Sequence, residues 1–349
     1  MQGHPRHRAV AIGVFCLYCL YCCAAQAAPG TAVGENIPWT GKPFLDNPDS
    51  FHFVVIGDRT GGHRPGVFAR AMQKINLLQP AFVLSVGDLI EGYTEDEERL
   101  AAEWNQVDEA VAGLEMPFFY TVGNHDLGNN LMRDLWHRRL GKDYYHFIYR
   151  GVLFISLNTE DPFVELPAEA MERQARLEAM MRQDPAGTQQ RILERSREQG
   201  KGPTLPGSVH ISQEQIDFVA RTLNDNKDVR WTVILMHKPA WRYGSKAFEA
   251  IENLLRGRPY TVIAGHEHYY EYDSRHGRDY IDMGTTGGIW LRDGPGRLDH
   301  IAWVTIADSG PEVAIIALEG LFDKFGPAGN ADLQRPDDDS EKEYPQDAM

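Results

Sequence analysis

The chain has 349 residues, of which 42% are hydrophobic, 24% are charged and 10% are aromatic, and this composition excludes collagen, coiled coil and wholesale disorder. A formal net charge of −15 repels the phosphate backbone of nucleic acids, so we expect no nucleic-acid duplex as a partner. No apolar run reaches the length of about 18 residues that a membrane-spanning helix needs.

Residues 1–27 have the features of a secretory signal peptide. Basic residues precede an apolar stretch, and Ala25-Gln26-Ala27 matches the usual cleavage pattern. Two alternatives stay open, an uncleaved membrane anchor and a lipoprotein that uses a cysteine after the apolar stretch. All four cysteines lie in this segment, so cleavage would leave no disulfide and no cysteine-based metal site. We predict a periplasmic or secreted protein with no stable membrane span after cleavage.

Short apolar runs with the composition of buried strands follow the signal segment. Residues 28–50 have little periodicity and predict a linker or a cap strand. The strand-like runs cover residues 51–56, 81–86, 117–122, 231–236 and 260–264. A hairpin is predicted over residues 144–157, with its turn near Arg150-Gly151.

Helical patterns lie between these runs. The clearest begins at Thr94, which is predicted to form a capping box with Glu97. Its apolar face, with the spacing of one side of a helix, consists of Leu100, Trp104, Val107, Val111 and Leu114. Ser212 and Gln215 predict a second capping box at the start of another helix. Strands that alternate with helices predict an α/β fold.

Two stretches depart from this alternation. Residues 160–208 are charged and poor in apolar residues, and they predict a helical insertion on the surface of the domain. Residues 327–349 are strongly acidic and predict a disordered tail. The domain itself is predicted to span residues 51–326.

Several strand-like runs end directly in side chains that bind metals or phosphate. These are Asp58, Asp88, Asn124-His125-Asp126, His237 and His266-x-His268. In open α/β sheets, sites lie at the carboxyl ends of the strands. Carboxylates, an amide carbonyl and imidazoles, without a thiolate, favour Mn, Fe or Zn. A carboxylate shared by two cations holds them about 3.5–4 Å apart, a spacing that stabilises both ends of an in-line phosphoryl displacement.

This ordered set resembles the signature of the calcineurin-like metallophosphoesterase superfamily, which reads D-x-H, G-D, G-N-H-[DE], H and G-H-x-H. The matching segments are Gly57-Asp58, Gly87-Asp88, Gly123-Asn124-His125-Asp126, His237 and Gly265-His266-Glu267-His268. The resemblance covers about residues 51–320. It implies a four-layer α/β/β/α sandwich with a dimetal site at the carboxyl ends of the strands.

The resemblance also implies the cofactors and the ligands. Two divalent ions, Mn, Fe or Zn, would share Asp88 as a bridging ligand. The other implied ligands are Asn124, His237 and His266 at one ion and Asp58 and His268 at the other.

The implied chemistry is hydrolysis of a small phosphate monoester or diester. A metal-activated hydroxide would attack phosphorus, and His125 would protonate the leaving oxygen, with Asp126 orienting its ring. Arg59 is expected to bind phosphate oxygens in a bidentate fork, with a surface salt bridge as its alternative. A different class of function, a non-catalytic metal-binding, ligand-binding or surface interaction protein derived from this fold, stays open. The intact His125-Asp126 pair favours the enzyme.

The first motif departs from the family pattern, because Asp58-Arg59-Thr60 stands in place of D-x-H. We expect the Asp58 site to bind its ion weakly, with Thr60 or a water in the position of the imidazole. Two alternatives stay open. His63 would reach in from the loop, or the site would use a residue comparable to the tyrosine of purple acid phosphatases. That tyrosine lies three residues after the second-motif Asp, at Glu91 here, with Tyr93 close by.

Overall fold

The computed structural model describes residues 47–199 and 208–322 of the chain. The predicted signal peptide, residues 1–27, most of the predicted linker and the predicted tail, residues 327–349, lie outside these ranges. None of the helices within residues 47–199 and 208–322 combines the length and the apolar character that crossing a lipid bilayer requires.

The strands belong to two large sheets and one small one. In chain order they are β1 (Phe51–Ile56), β2 (Val83–Ser85), β3 (Phe118–Phe119), β4 (Tyr145–Tyr149), β5 (Val152–Ser156), β6 (Glu160–Asp161), β7 (His210–Ile211), β8 (Trp231–Leu235), β9 (Tyr260–Ala264), β10 (Glu271–Arg275), β11 (Arg278–Asp282), β12 (His300–Ala307) and β13 (Gly310–Ala317). One sheet has the order β13-β12-β1-β2-β3 and the other has the order β10-β11-β9-β8-β5-β4, while β6 pairs with β7.

Helices connect the strands. They are α1 (Val67–Leu78), α2 (Glu97–Ala112), α3 (Asn130–Arg139), α4 (Ala168–Gln183), α5 (Pro185–Gln199), α6 (Gln213–Asp225) and α7 (Lys246–Leu254), followed by a 3₁₀ turn at Leu318–Gly320.

The layering follows from the two-residue period of the strands. In β1, Phe53 and Val55 contribute to an apolar layer between the two large sheets, whereas Val54 and Ile56 pack in the core formed with α1, α2 and α3. In β8, Ile234 packs in the corresponding core with α6 and α7 on the other side. Each large sheet therefore has helices on its outer face and the partner sheet on its inner face. The predicted four-layer α/β/β/α sandwich is confirmed.

The strand and hairpin predictions are confirmed, but two strands are shorter than expected. They are β2 and β3, and β2 ends early because the chain leaves the ladder to form the loop that follows. Gly87 and Asp88 have φ angles of 102° and 54°, which turn the backbone away from the sheet. The hairpin turns at Arg150 and Gly151, whose φ angles are 45° and 73°, as a two-residue turn of the primed type requires.

The capping prediction for α2 is wrong. The helix begins at Glu97, and its cap is Asp96, whose carboxylate accepts the N–H groups of Glu98 and Arg99. The Thr94 hydroxyl instead accepts the N–H of Asp96 at 3.2 Å. A carboxylate at the cap is stabilised by the positive end of the helix as well as by its hydrogen bonds, and a hydroxyl lacks that charge.

Only one of the two hydrogen bonds of the second predicted capping box forms. The Ser212 hydroxyl accepts the N–H of Gln215 at 3.3 Å, as predicted. The Gln215 side chain does not return to Ser212, because its amide exchanges hydrogen bonds with the backbone of Asn158 at 2.9 and 3.0 Å. A buried side-chain amide thus binds a neighbouring loop in preference to its own helix end.

Residues 168–199 of the predicted insertion form the helices α4 and α5. The pair is partly buried, because Leu177, Met181 and Ile192 pack against the buried Ile289 and Leu291. The insertion therefore contacts the loop that precedes β12, next to the polar cluster described below.

Candidate metal centre

The polar residues predicted from the strand ends meet at one edge of the two large sheets. β1 runs parallel to β2, and β8 runs parallel to β9, so their carboxyl ends bring the following loops together. Two sets of three ligand atoms each lie within 4.8 Å of one another, and they are Asp88 with His237 and His266, and Asp58 with Asp88 and His268. Asp88 belongs to both sets.

The Asp88 carboxylate lies at the centre of the cluster and is buried. Its Oδ2 lies 3.0 Å from Nε2 of His237, and its Oδ1 accepts the backbone N–H of His125 at 2.9 Å. Burial favours the neutral carboxyl, but the His237 and His125 imidazoles outweigh it and hold the pKa of Asp88 well below its usual value. A Cβ at Gly123 would come within 2.1 Å of Asp88 Oδ1, so this approach needs glycine.

His237 presents one ring nitrogen to the cluster. Its Nδ1 lies 2.8 Å from the Val86 carbonyl oxygen and donates to it. Its Nε2 then faces Asp88 and, at 3.1 Å, Oδ1 of Asn124. Burial by itself lowers the pKa of His237, but the charge and the hydrogen bond of the Asp88 carboxylate act in the opposite direction, and the net result is a pKa of about 10. The position between these two oxygens therefore favours positive charge.

His266 provides the test of whether the site fits a cation. Its Nε2 is buried and has no hydrogen-bond partner in the part of the chain that the structure describes. Burial and then His237 lower the pKa of His266 well below its usual value, so the ring is neutral. An unpaired buried nitrogen costs about 1–3 kcal/mol. A divalent ion would satisfy this lone pair, so the residues fit a metal site.

The second set contains Asp58 and His268. Nε2 of His268 lies 3.2 Å from Asp58 Oδ2, and its Nδ1 donates to the Ile289 carbonyl oxygen at 2.5 Å. The Asp58 carboxylate also accepts the backbone N–H of His266, at 3.0 and 3.2 Å. Burial lowers the pKa of His268 and the hydrogen bond to Asp58 raises it, with a net increase.

Thr60, at the position where the family motif has a histidine, is buried, and its side chain forms hydrogen bonds with the backbone. Its hydroxyl lies 2.8 Å from the Ile90 carbonyl oxygen and 3.1 Å from that of Asp88, and it donates to this pair. The alternative ligands His63 and Glu91 are absent from both sets of described ligands. The Glu91 carboxylate instead accepts the backbone N–H groups of Gly62 and His63.

Tyr93, the remaining alternative, is hydrogen-bonded to Asn124, another of the predicted ligands. Its hydroxyl oxygen accepts from Nδ2 of Asn124 at 2.8 Å. Burial, followed by the Asp88 charge, raises the pKa of Tyr93 well above its usual value, so the phenol keeps its proton. Tyr93 thus orients the Asn124 amide, with the amide oxygen towards His237.

Asp126 does not orient His125, and that expectation is corrected. Nδ1 of His125 lies 2.8 Å from the Glu91 carbonyl oxygen and donates to it. The Asp126 carboxylate instead accepts backbone N–H groups at 2.8–3.3 Å from Gly123, Asp88, Leu89 and Ile90. Because these groups belong to two different loops, Asp126 joins the Asp88 loop to the loop that carries Asn124 and His125.

The expectation for Arg59 is also wrong. Arg59 is buried, and its guanidinium donates to the Leu89 carbonyl oxygen at 2.8 Å and to Gln106 Oε1 at 2.9 Å. It also lies over the ring of Phe68, 5.6 Å from the centroid. These contacts hold the guanidinium among α1, α2 and the Asp88 loop. It is a structural group, neither a phosphate ligand nor a surface salt bridge.

Sequence reasoning missed the groups that orient the imidazoles. Backbone carbonyl oxygens do this, those of Val86 for His237, Glu91 for His125 and Ile289 for His268. Partners of this kind set which ring nitrogen faces a metal. Any residue type can supply a carbonyl, so no sequence pattern marks them.

The family model described as Calcineurin-like phosphoesterase matches residues 51–270. Over 111 residues the chain is 36% identical to Serine/threonine-protein phosphatase CPPED1 of Pongo abelii and 35% identical to that of Homo sapiens. These matches cover 29% of this chain, which spans 33% of the length of the curated relatives.

A solved structure shows the same fold. The purple acid phosphatase PPD1 from yellow lupin (Lupinus luteus) superposes with a TM-score of 0.53 at 13% identity, over 78% of this chain and 52% of that one.

The four hydrogen bonds of Asp126 give a prediction. Asp126→Asn keeps the size of the side chain but turns an NH₂ group towards N–H donors, so buried donors lose their acceptor. We expect the free energy of unfolding to fall by at least about 2 kcal/mol, with a loss of bound metal. Denaturant titration and metal analysis measure both. The control Asp134→Asn, exposed on α3, should change stability by less than about 0.5 kcal/mol. Native stability and metal content in Asp126→Asn would contradict this role.

Proposed function

This chain belongs to the calcineurin-like phosphoesterase family, and on that premise we propose that it is a metal-dependent hydrolase of phosphate monoesters or diesters. The observation that carries the proposal is the position of Asp88 in two ligand sets at once. A carboxylate shared in this way is what a pair of divalent ions needs.

The chain's residues divide between the two ions. One would be held by Asp88, Asn124, His237 and His266, and the other by Asp58, Asp88 and His268. Imidazole and oxygen ligands favour Mn, Fe or Zn. When bound, such ions lower the pKa of water and offset the negative charge of phosphoryl oxygens.

His125 is the group that we assign to proton transfer. It is 7% exposed, and Nδ1 is held by the Glu91 carbonyl oxygen, so Nε2 is the nitrogen that is free to carry a proton to the leaving oxygen. This nitrogen lies 4.0 Å from Asp88 Oδ2. The Tyr93 ring packs edge-on against the imidazole, with the centroids 4.7 Å apart, and limits its rotation. The reaction then balances, because the consumed water gives its OH to phosphorus and its other proton to the leaving oxygen.

We also propose that the protein is exported to the periplasm or secreted. The basic and apolar composition of residues 1–27 and the Ala25-Gln26-Ala27 pattern support this. Mass spectrometry of the protein from a secreting host should find Ala28 as the amino terminus. A chain that retains Met1 and remains inside the cell would contradict the proposed export.

The proposed activity is tested by turnover of nitrophenyl phosphate and bis(nitrophenyl) phosphate with and without Mn²⁺. We expect Mn²⁺-dependent hydrolysis of at least one. His266→Ala should lower the activity by more than about 10–100-fold, the loss that follows when a residue that only orients a ligand is removed, because His266 is itself a proposed ligand. The control His276→Ala, at an exposed turn, should match the native protein. No turnover with either ester, with ions bound, would overturn the proposal.

A second prediction concerns the leaving group. General acid catalysis contributes about 10²–10⁴-fold, so His125→Ala should lose roughly that much with an alkyl phosphate. The loss should be much smaller with a nitrophenyl phosphate, because nitrophenolate leaves without a proton. The ratio of kcat/KM for the two esters measures the difference. Equal losses would show that His125 acts in another way.

A further inference from the structure

The helical insertion makes a two-point contact with the backbone next to the metal centre. Gln189 of α5 donates from Nε2 to the Trp290 carbonyl oxygen at 2.7 Å, and its Oε1 accepts the Trp290 N–H at 2.9 Å. One side-chain amide therefore satisfies both backbone polar groups of a single residue. Such a contact sets the position and the rotation of the chain at Trp290.

The residue before Trp290 holds a ligand. The Ile289 carbonyl oxygen accepts from Nδ1 of His268, which turns Nε2 of His268 towards Asp58. The Ile289 side chain is fully buried and packs in the cluster formed with α4 and α5. Gln189 thus reaches His268 through two consecutive residues of one loop.

The loop after Thr60 is fastened to the same segment. A Cβ at Gly62 would come within 2.9 Å of the Ile289 side chain, so these two segments of the backbone are in close contact. The Arg64 guanidinium donates to the Gly288 carbonyl oxygen at 2.7 and 3.0 Å and lies over the Trp290 ring, 4.1 Å from the centroid. The loop that lacks the family histidine therefore rests on the segment that Gln189 holds.

α4 makes a second connection, on the His125 side. Glu178 of α4 pairs with Arg99 of α2 at 2.5 Å, and Arg99 pairs with Glu103 at 2.9 Å. Glu103 accepts the backbone N–H of Gly92 at 2.9 Å, next to the Glu91 carbonyl that orients His125. α5 therefore contacts one segment that orients an imidazole, and α4 is linked to another through Arg99 and Glu103 of α2.

We propose that α4 and α5 brace the Asp58 half of the metal centre, with Gln189 as a positioning residue that orients His268 through Trp290 and Ile289. The inference rests on the proposed function only in that the two ligand sets bind divalent ions. The physical reason lies in Thr60. With no histidine at that position, His268 is the one imidazole in this ligand set, so the affinity for its ion depends strongly on how that single ring is held.

Ion binding tests the inference without turnover. Equilibrium dialysis of the full chain against buffered free Mn²⁺ gives the ions bound and their affinities. In Gln189→Ala we expect the weaker ion to bind roughly 10–100-fold less tightly, with the tighter ion unchanged. Gln189→Glu keeps the shape but sets a carboxylate against the Trp290 carbonyl oxygen, so it should weaken the same ion. Gln190→Ala, on the exposed side of α5 with Glu194 as its contact, is the matched control.

A double variant identifies the route. In the His268→Ala background the ring that Gln189 orients is gone, so adding Gln189→Ala should have no further effect on ion binding. The inference is overturned if Gln189→Ala binds both ions as the native protein does, if both ions weaken equally, or if Gln190→Ala loses as much. Native protein that binds two ions but hydrolyses no ester would overturn the proposed function and leave this inference standing. Native protein that binds no ion would overturn both.

Discussion

The buried negative charge of Asp88 is the constraint around which the rest of the molecule is arranged. A carboxylate removed from water costs several kcal/mol unless positive or hydrogen-bonding groups surround it. His237 and the backbone N–H of His125 are those groups in the protein itself. Two β-sheets must pack face to face to supply them from both sides, because Asp88 follows a strand of one sheet and His237 a strand of the other. The packing of the two sheets thus brings His237 and the His125 N–H to the Asp88 carboxylate.

Three of the candidate ligands have backbone conformations that residues with a side chain rarely adopt. Asp88, His266 and His268 have φ angles of 54°, 78° and 51°. Such conformations cost about 1–3 kcal/mol each and persist only where the surroundings enforce them. The Asp126 carboxylate enforces the first through its backbone hydrogen bonds, and the Asp58 carboxylate holds the N–H of His266. Stability and ligand geometry are therefore coupled, since the same hydrogen bonds maintain both.

The insertion and the altered first motif belong to one arrangement. Thr60 binds backbone carbonyls and so joins the Asp58 loop to the Asp88 loop. Where the family motif has an imidazole, this chain therefore has a side chain that connects two loops by hydrogen bonds. On the other side, α5 holds the chain at Trp290, beside the carbonyl that orients His268. The candidate ligand set without this imidazole is thus surrounded by contacts that fix its remaining groups.

The sequence alone determined the fold class and predicted that residues such as Asp58 and His237 meet at one edge, because strand periodicity and parallel strand ends bring the loops after the strands together. Only the tertiary structure decided what the neighbouring polar residues do. Arg59 points to Gln106 on α2, Asp126 binds backbone N–H groups, and Gln189 holds a loop 101 residues away. The reason is physical: residue type specifies which groups can donate or accept, whereas the partner depends on which backbone groups packing leaves unpaired nearby.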